Sequence, residues 1–124
     1  MLPIIYDVDS IASLKTIIES NPGVIVLKFG ATWCGPCKTI EPVLQYLTGQ
    51  MPNNVQYIVI DIDVSFEVYN FMKQKRLVNG VPALFAYYKG NVSYVPDDIV
   101  VGANTKEVNS LFEKVYKRAC LYNV

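Results

Sequence analysis

Cys34 and Cys37 stand in the string Trp33-Cys34-Gly35-Pro36-Cys37-Lys38, directly after a run of apolar, β-branched residues. Two thiols three positions apart on the first turn of a helix can close a small disulfide. A sulfur at a helix start meets unpaired backbone N–H groups and the positive end of the helix dipole, which favour the thiolate of the first cysteine. The thiolate, not the thiol, attacks disulfides. Pro36 in a first turn forfeits no helical hydrogen bond and presets φ, and Gly35 permits a tight approach. The pattern points to reversible thiol–disulfide exchange. Cys-x-x-Cys also marks half of a zinc knuckle. Here the chain has no His, and its one further cysteine is Cys120. Neither a His-containing nor an all-Cys closed zinc site can be built from that set.

The rest of the composition narrows the field. At 124 residues the chain is expected to form one domain, residues 1–124, with a substantial core. Hydrophobic residues make up 52% and charged residues 18%, which argues against disorder. Acids and bases balance at 11 each, so no nucleic-acid footprint and no polybasic membrane patch is expected. Without His, Ser-His-Asp and Cys-His catalysis are excluded. The first residues, Met1-Leu2-Pro3-Ile4-Ile5-Tyr6-Asp7, lack the basic start of a secretory signal. No apolar run approaches the ~18–20 residues of a membrane span. Three cysteines do not make the framework of a secreted disulfide scaffold. The expectation is a soluble, cytoplasmic protein in a reducing environment.

Hydrophobic period alternates along the chain, which predicts a mixed α/β domain. Residues 3–8 read as a short strand. Asp9 reads as the N-cap of a helix with Ile11, Leu14, Ile17 and Ile18 on one face, stopped by Asn21-Pro22-Gly23. Residues 24–29 are a strand buried on both faces. A helix over 34–49, interrupted by Pro42, leads through a turn to a second buried strand over 55–60. Residues 66–76 carry Phe66, Tyr69, Phe71 and Met72 on a helical face. Strand 83–88 turns at Lys89-Gly90-Asn91 into an antiparallel return over 92–95. Pro96-Asp97-Asp98 then interrupts before 99–101. Asn104 with Glu107 fits a capping box for a last helix burying Val108, Leu111, Phe112, Val115 and Tyr116. The predicted order is β-α-β-α-β-α-β-β-α, with helices on both faces of the sheet.

Phe29-Gly30-Ala31-Thr32-Trp33-Cys34-Gly35-Pro36-Cys37-Lys38 resembles the active-site segment of the thioredoxin family. In order along the chain, Pro42, Asp61-Ile62-Asp63, Gly80-Val81-Pro82, Lys89-Gly90 and Val101-Gly102-Ala103 resemble further landmarks of that family. The resemblance implies the thioredoxin fold, a central mixed sheet of about five strands flanked by four helices. It implies a protein-disulfide reductase in which Cys34 is the exposed nucleophile and Cys37 the more buried resolving thiol. Trp33 would cover the site and shape the surface that meets partners, with a core aromatic as its plainer reading. Pro82 would follow a cis bond beside the cysteines. The Val81 backbone would then be free to pair with an extended substrate segment, with Gly80 beside it. Gly102 would let a partner approach closely, or serve only as a turn. Lys38 would steer acidic partners or stand as a solvated lysine. No cofactor is implied beyond the cysteine pair. Implied partners are disulfide-containing proteins and, as electron donor, a flavin- and NADPH-dependent thioredoxin reductase. A monomer is expected. Cys120 is expected to be a free thiol or a packed residue.

One position departs from the family. Where its members usually bury an Asp that assists proton transfer at the resolving thiol, this chain has Lys28, and the neighbouring-strand position that often carries a charge is Val59. A neutral lysine could act as a base. A charged one would favour a thiolate at Cys37, and one that snorkels to solvent would do neither. The family's usual charged pair is therefore read as replaced as a unit. Two rival readings remain: an oxidase or isomerase of exported proteins, which Gly35-Pro36 argues against, and a thioredoxin-fold binding subunit that does not use its thiols.

Overall fold

The computed structural model describes residues 1–123. Nine elements follow in the predicted order: β1 (Ile5–Tyr6), α1 (Ile11–Glu19), β2 (Val24–Gly30), α2 (Gly35–Gly49), β3 (Val55–Asp61), α3 (Phe66–Gln74), β4 (Ala83–Tyr88), β5 (Asp98–Val101) and α4 (Thr105–Tyr122). The five strands form one sheet in the order β1-β3-β2-β4-β5. β1 and β2 flank β3 in parallel, and β4 and β5 complete the sheet antiparallel. This is the thioredoxin fold that the motifs implied.

β2 is central because nearly every residue in it is apolar, and all seven of its residues are buried. Alternation along the strand splits its side chains between two cores. Ile25, Leu27 and Phe29 join Leu14 and Ile18 of α1 and Val68, Tyr69 and Met72 of α3. Val24 and Val26 join Ile40 and Leu44 of α2 and Val108, Leu111, Phe112, Val115 and Ala119 of α4. α2 begins where β2 ends, so the four residues between them are held at the end of the central strand.

Several local expectations are corrected. The first strand contains only Ile5–Tyr6. The cap of α1 is Ser10, whose Oγ accepts from Ser13 N, while Asp9 lies one residue outside and accepts from the Ser13 hydroxyl. No strand forms over 92–95. There Asn91 takes up the backbone: its Oδ1 accepts from Ser93 N at 2.9 Å, and its Nδ2 donates to Val95 O and to Asp97 Oδ2. Such side-chain bonds compete with a ladder for the same peptide groups. The return strand starts at Asp98, with Asp98 paired to Ala86. Phe66 and Tyr116 are exposed, at 62% and 48%. The buried stripes run through Val68, Tyr69 and Met72 in α3 and on to Ala119 in α4 instead.

Candidate active site

Cys34 is the N-cap of α2, with extended backbone and a sulfur that accepts from Cys37 N at 3.2 Å. Pro36 lies in the first turn, where its missing N–H has no helical partner to lose. Cys34 and Cys37 are joined as a disulfide with their Cα atoms 5.3 Å apart. Both are buried, at 4% and 5% exposure, so the expected contrast between an open first thiol and a covered second one is not observed. The Cys34 sulfur turns inward to cap the helix and lies 3.7 Å from the Val81 carbonyl oxygen, under the loop before β4.

That carbonyl belongs to the loop before β4. The Val81–Pro82 bond is cis, Pro82 is buried and Val81 half-buried. Gly80, at φ 125°, donates its N–H to the Tyr69 hydroxyl at 3.0 Å. Gly102, at φ 96°, donates to the Pro82 carbonyl at 2.8 Å, which sets it beside the same loop. The structure therefore brings Cys34, Cys37, Val81, Pro82 and Gly102 together, with Gly35, Pro36 and Lys38 exposed around them.

Trp33 is 65% exposed, which rules out the core-aromatic reading. Its indole Nε1 donates to Asp63 Oδ2 at 2.8 Å. Asp63 is itself placed by a relay of bonds: its N–H donates to Asp61 Oδ1, and Asp61 N donates to Asp7 Oδ1 at 2.8 Å. Asp7 also accepts from the buried Ser65 hydroxyl, which in turn receives Val8 N. Asp7 adopts φ 64°, a conformation that Asp tolerates better than most residues.

Lys28 is buried at 8% exposure and does not snorkel to bulk water. Its Nζ donates to Glu41 Oε2 at 2.7 Å. Val59 on the neighbouring strand is apolar, and the carboxylate that pairs with Lys28 comes from α2 instead. Near this pair, the Tyr57 hydroxyl is buried without a hydrogen-bond partner. Burial first, then the Glu41 carboxylate and Tyr6, push its phenol well above the ordinary range. Among the described residues, no group of three His, Cys, Asp or Glu side chains converges as a cation site. Cys120 is free and exposed.

Residues 8–115 match the family model described as Thioredoxin. The chain belongs to the thioredoxin family. A thioredoxin of Coprinus comatus is 28% identical over 116 residues, covering 92% of this chain and 97% of that one. One from Staphylococcus epidermidis is 38% identical over 90 residues, covering 73% and 77%. Among solved structures, Trichomonas vaginalis thioredoxin superposes with a TM-score of 0.76 at 27% identity, covering 92% of this chain and 98% of that one. Family and fold make this chain a thiol–disulfide oxidoreductase with the Cys34–Cys37 disulfide as its redox centre.

Sequence reasoning missed one residue of this thioredoxin-family site, Glu41. The signal was present. A lone lysine in an otherwise apolar strand calls for a buried counter-charge. Glu41 follows Cys37 by four positions on the helix that starts where that strand ends, so it projects from the same side as the cysteine.

Proposed function

We propose that the chain is a protein-disulfide reductase. The observation that carries this reading is the Cys34–Cys37 disulfide at the start of α2, with the Cys34 sulfur in the N-cap position and bonded to Cys37 N. In the reduced protein the same bond, with the helix dipole, stabilises a thiolate at Cys34. That thiolate attacks a target disulfide, and one target sulfur leaves with the bonding electron pair and takes a proton. Cys37, deprotonated, then attacks Cys34. The Cys34–target bond breaks, the second target sulfur leaves with its electron pair, and the Cys34–Cys37 disulfide forms. Two electrons and two protons from a donor restore the dithiol. We assign that role to a flavin- and NADPH-dependent thioredoxin reductase.

The target is taken to be an extended segment of a disulfide-containing protein. It would lie along the Val81 backbone by strand addition, with the exposed face of Trp33 and the open backbone at Gly80 and Gly102 on either side. We expect a monomer that works in the cytoplasm. Reduction of insulin disulfides tests the reading, first with dithiothreitol and then with NADPH and a thioredoxin reductase. Precipitation of the insulin B chain faster than with dithiothreitol alone supports it. A rate equal to that background in both formats overturns it. A strongly oxidising reduction potential would favour an oxidase of exported proteins instead.

A further inference from the structure

Lys28 is the one buried lysine of the described chain, and the exchange just outlined gives it no task. Its neighbours in the sheet are Val59 on β3 and Leu84 on β4, neither able to balance a charge. Only Glu41 does so, at 2.7 Å, with its side chain 43% exposed against 10% for the lysine. A buried pair of this kind roughly breaks even against hydrophobic residues of similar volume, so stability alone does not account for it. Its position is more telling. A Cβ placed on Gly30 would stand 3.7 Å from Cys37 Sγ and 4.0 Å from Lys28 Nζ. Because residue 30 has no side chain, the ammonium and the sulfur border the same small space, and Glu41 is not among its nearest atoms. That space opens into a cavity of about 470 Å³ that Cys37, Lys28 and Glu41 all line.

We propose that Lys28, paired with Glu41, is a positioning residue for Cys37. Its ammonium favours the Cys37 thiolate in the reduced protein and so hastens the attack of Cys37 on the Cys34–target disulfide. The proton of Cys37 leaves to solvent through the cavity before that attack. The bonds then change as described above, and the departing target sulfur takes a proton from water. The other charges facing this place are Lys38 and Glu41 on α2 and Asp61 at the end of β3, all lining the cavity. The Val81–Pro82 loop offers only apolar side chains and backbone. Opposite charges within about 4–6 Å shift an ionisation by one to three pH units. Of these charges, the Lys28 ammonium is the one that borders the space over Gly30 together with the sulfur, so it is the one expected to dominate.

The inference rests on the dithiol reading, and the test separates the two. In the full chain carrying Cys34→Ser and Cys120→Ser, Cys37 is the only thiol, and serine keeps the helix cap. Its rate of alkylation by iodoacetamide is followed against pH with Lys28 present, with Lys28→Met and with Lys28→Arg. With Lys28→Met the midpoint should rise by about one pH unit or more, a tenfold fall in thiolate near neutrality. Lys28→Arg should hold it near the parent value. An unmoved midpoint with Lys28→Met overturns the inference. So does an equal rise with Lys28→Arg, which would show that packing and not charge sets the effect. Should the methionine variant not fold, Lys28→Gln gives the same readout. Insulin reduction by the unaltered chain is measured alongside. Activity without a Lys28 effect removes only the inference, and a Lys28 effect without activity removes only the reductase reading.

Discussion

The two faces of β2 are built from the same strand and end in different chemistry. Toward α1 and α3, Phe29 packs edge-on against Phe85 and Tyr69, with centroids 5.2 and 5.6 Å apart. Toward α2 and α4, the strand begins with Val24 and Val26 in an apolar cluster and ends in the Lys28–Glu41 pair. The contrast lies in position along the strand as much as in face. A charge sits only at the end where α2 begins, one glycine from the cysteines. Both faces bury an apolar core, and the α2 face adds a charged pair beside the reactive sulfurs.

Four measurements would break or sharpen that division. The largest effect belongs to the sulfurs: Cys34→Ser or Cys37→Ser should reduce insulin turnover to the dithiothreitol background while circular dichroism stays native. On the opposite face, Phe29→Ala should cost about 3–5 kcal/mol in urea unfolding. A similar loss from a Lys28 variant would erase the distinction between the faces. Alkali acts on both. Burial pushes up the phenols of Tyr57, on the α2 face, and Tyr87, on the α1 face. An unfolded tyrosine ionises near pH 10 while these remain protonated in the fold, so the folded state binds more protons and loses stability as pH rises past about 10. Melting temperature should fall there, as stability drops by up to about 1.4 kcal/mol per pH unit for each tyrosine. The smallest effect is expected at Tyr57→Phe at neutral pH. It removes a buried hydroxyl with no partner, so stability should stay within about 1 kcal/mol of the parent or rise.

What could be read in advance follows from how local each signal is. β2 and β4 were legible because a wholly apolar run has few other places to go. The start of α4 was legible because Asn104 accepts from Glu107 N, three residues on. The missing strand over 92–95 was not, because Asn91 decides it through bonds to Ser93 and Val95 that composition does not reveal. At the site, Cys34, Cys37, Trp33 and Pro82 were each found by motif. The burial of Cys34 depends on the loop that carries Val81, 47 residues away. Glu41 was hidden for a related reason: a strand residue and a helix residue 13 positions apart meet only once the helix folds back over the sheet.

Asp7 couples the first strand to the face that greets a target. From its carboxylate the bonds pass through Asp61 and Asp63 to the Trp33 indole, while a branch through Ser65 fastens the start of α3. The anchorage of the lone tryptophan is thus shared with a two-residue ribbon near the head of the chain. A protease nick or a bulky fusion just ahead of Val8 would slacken that mooring, and selectivity among targets would drift with no change at either sulfur.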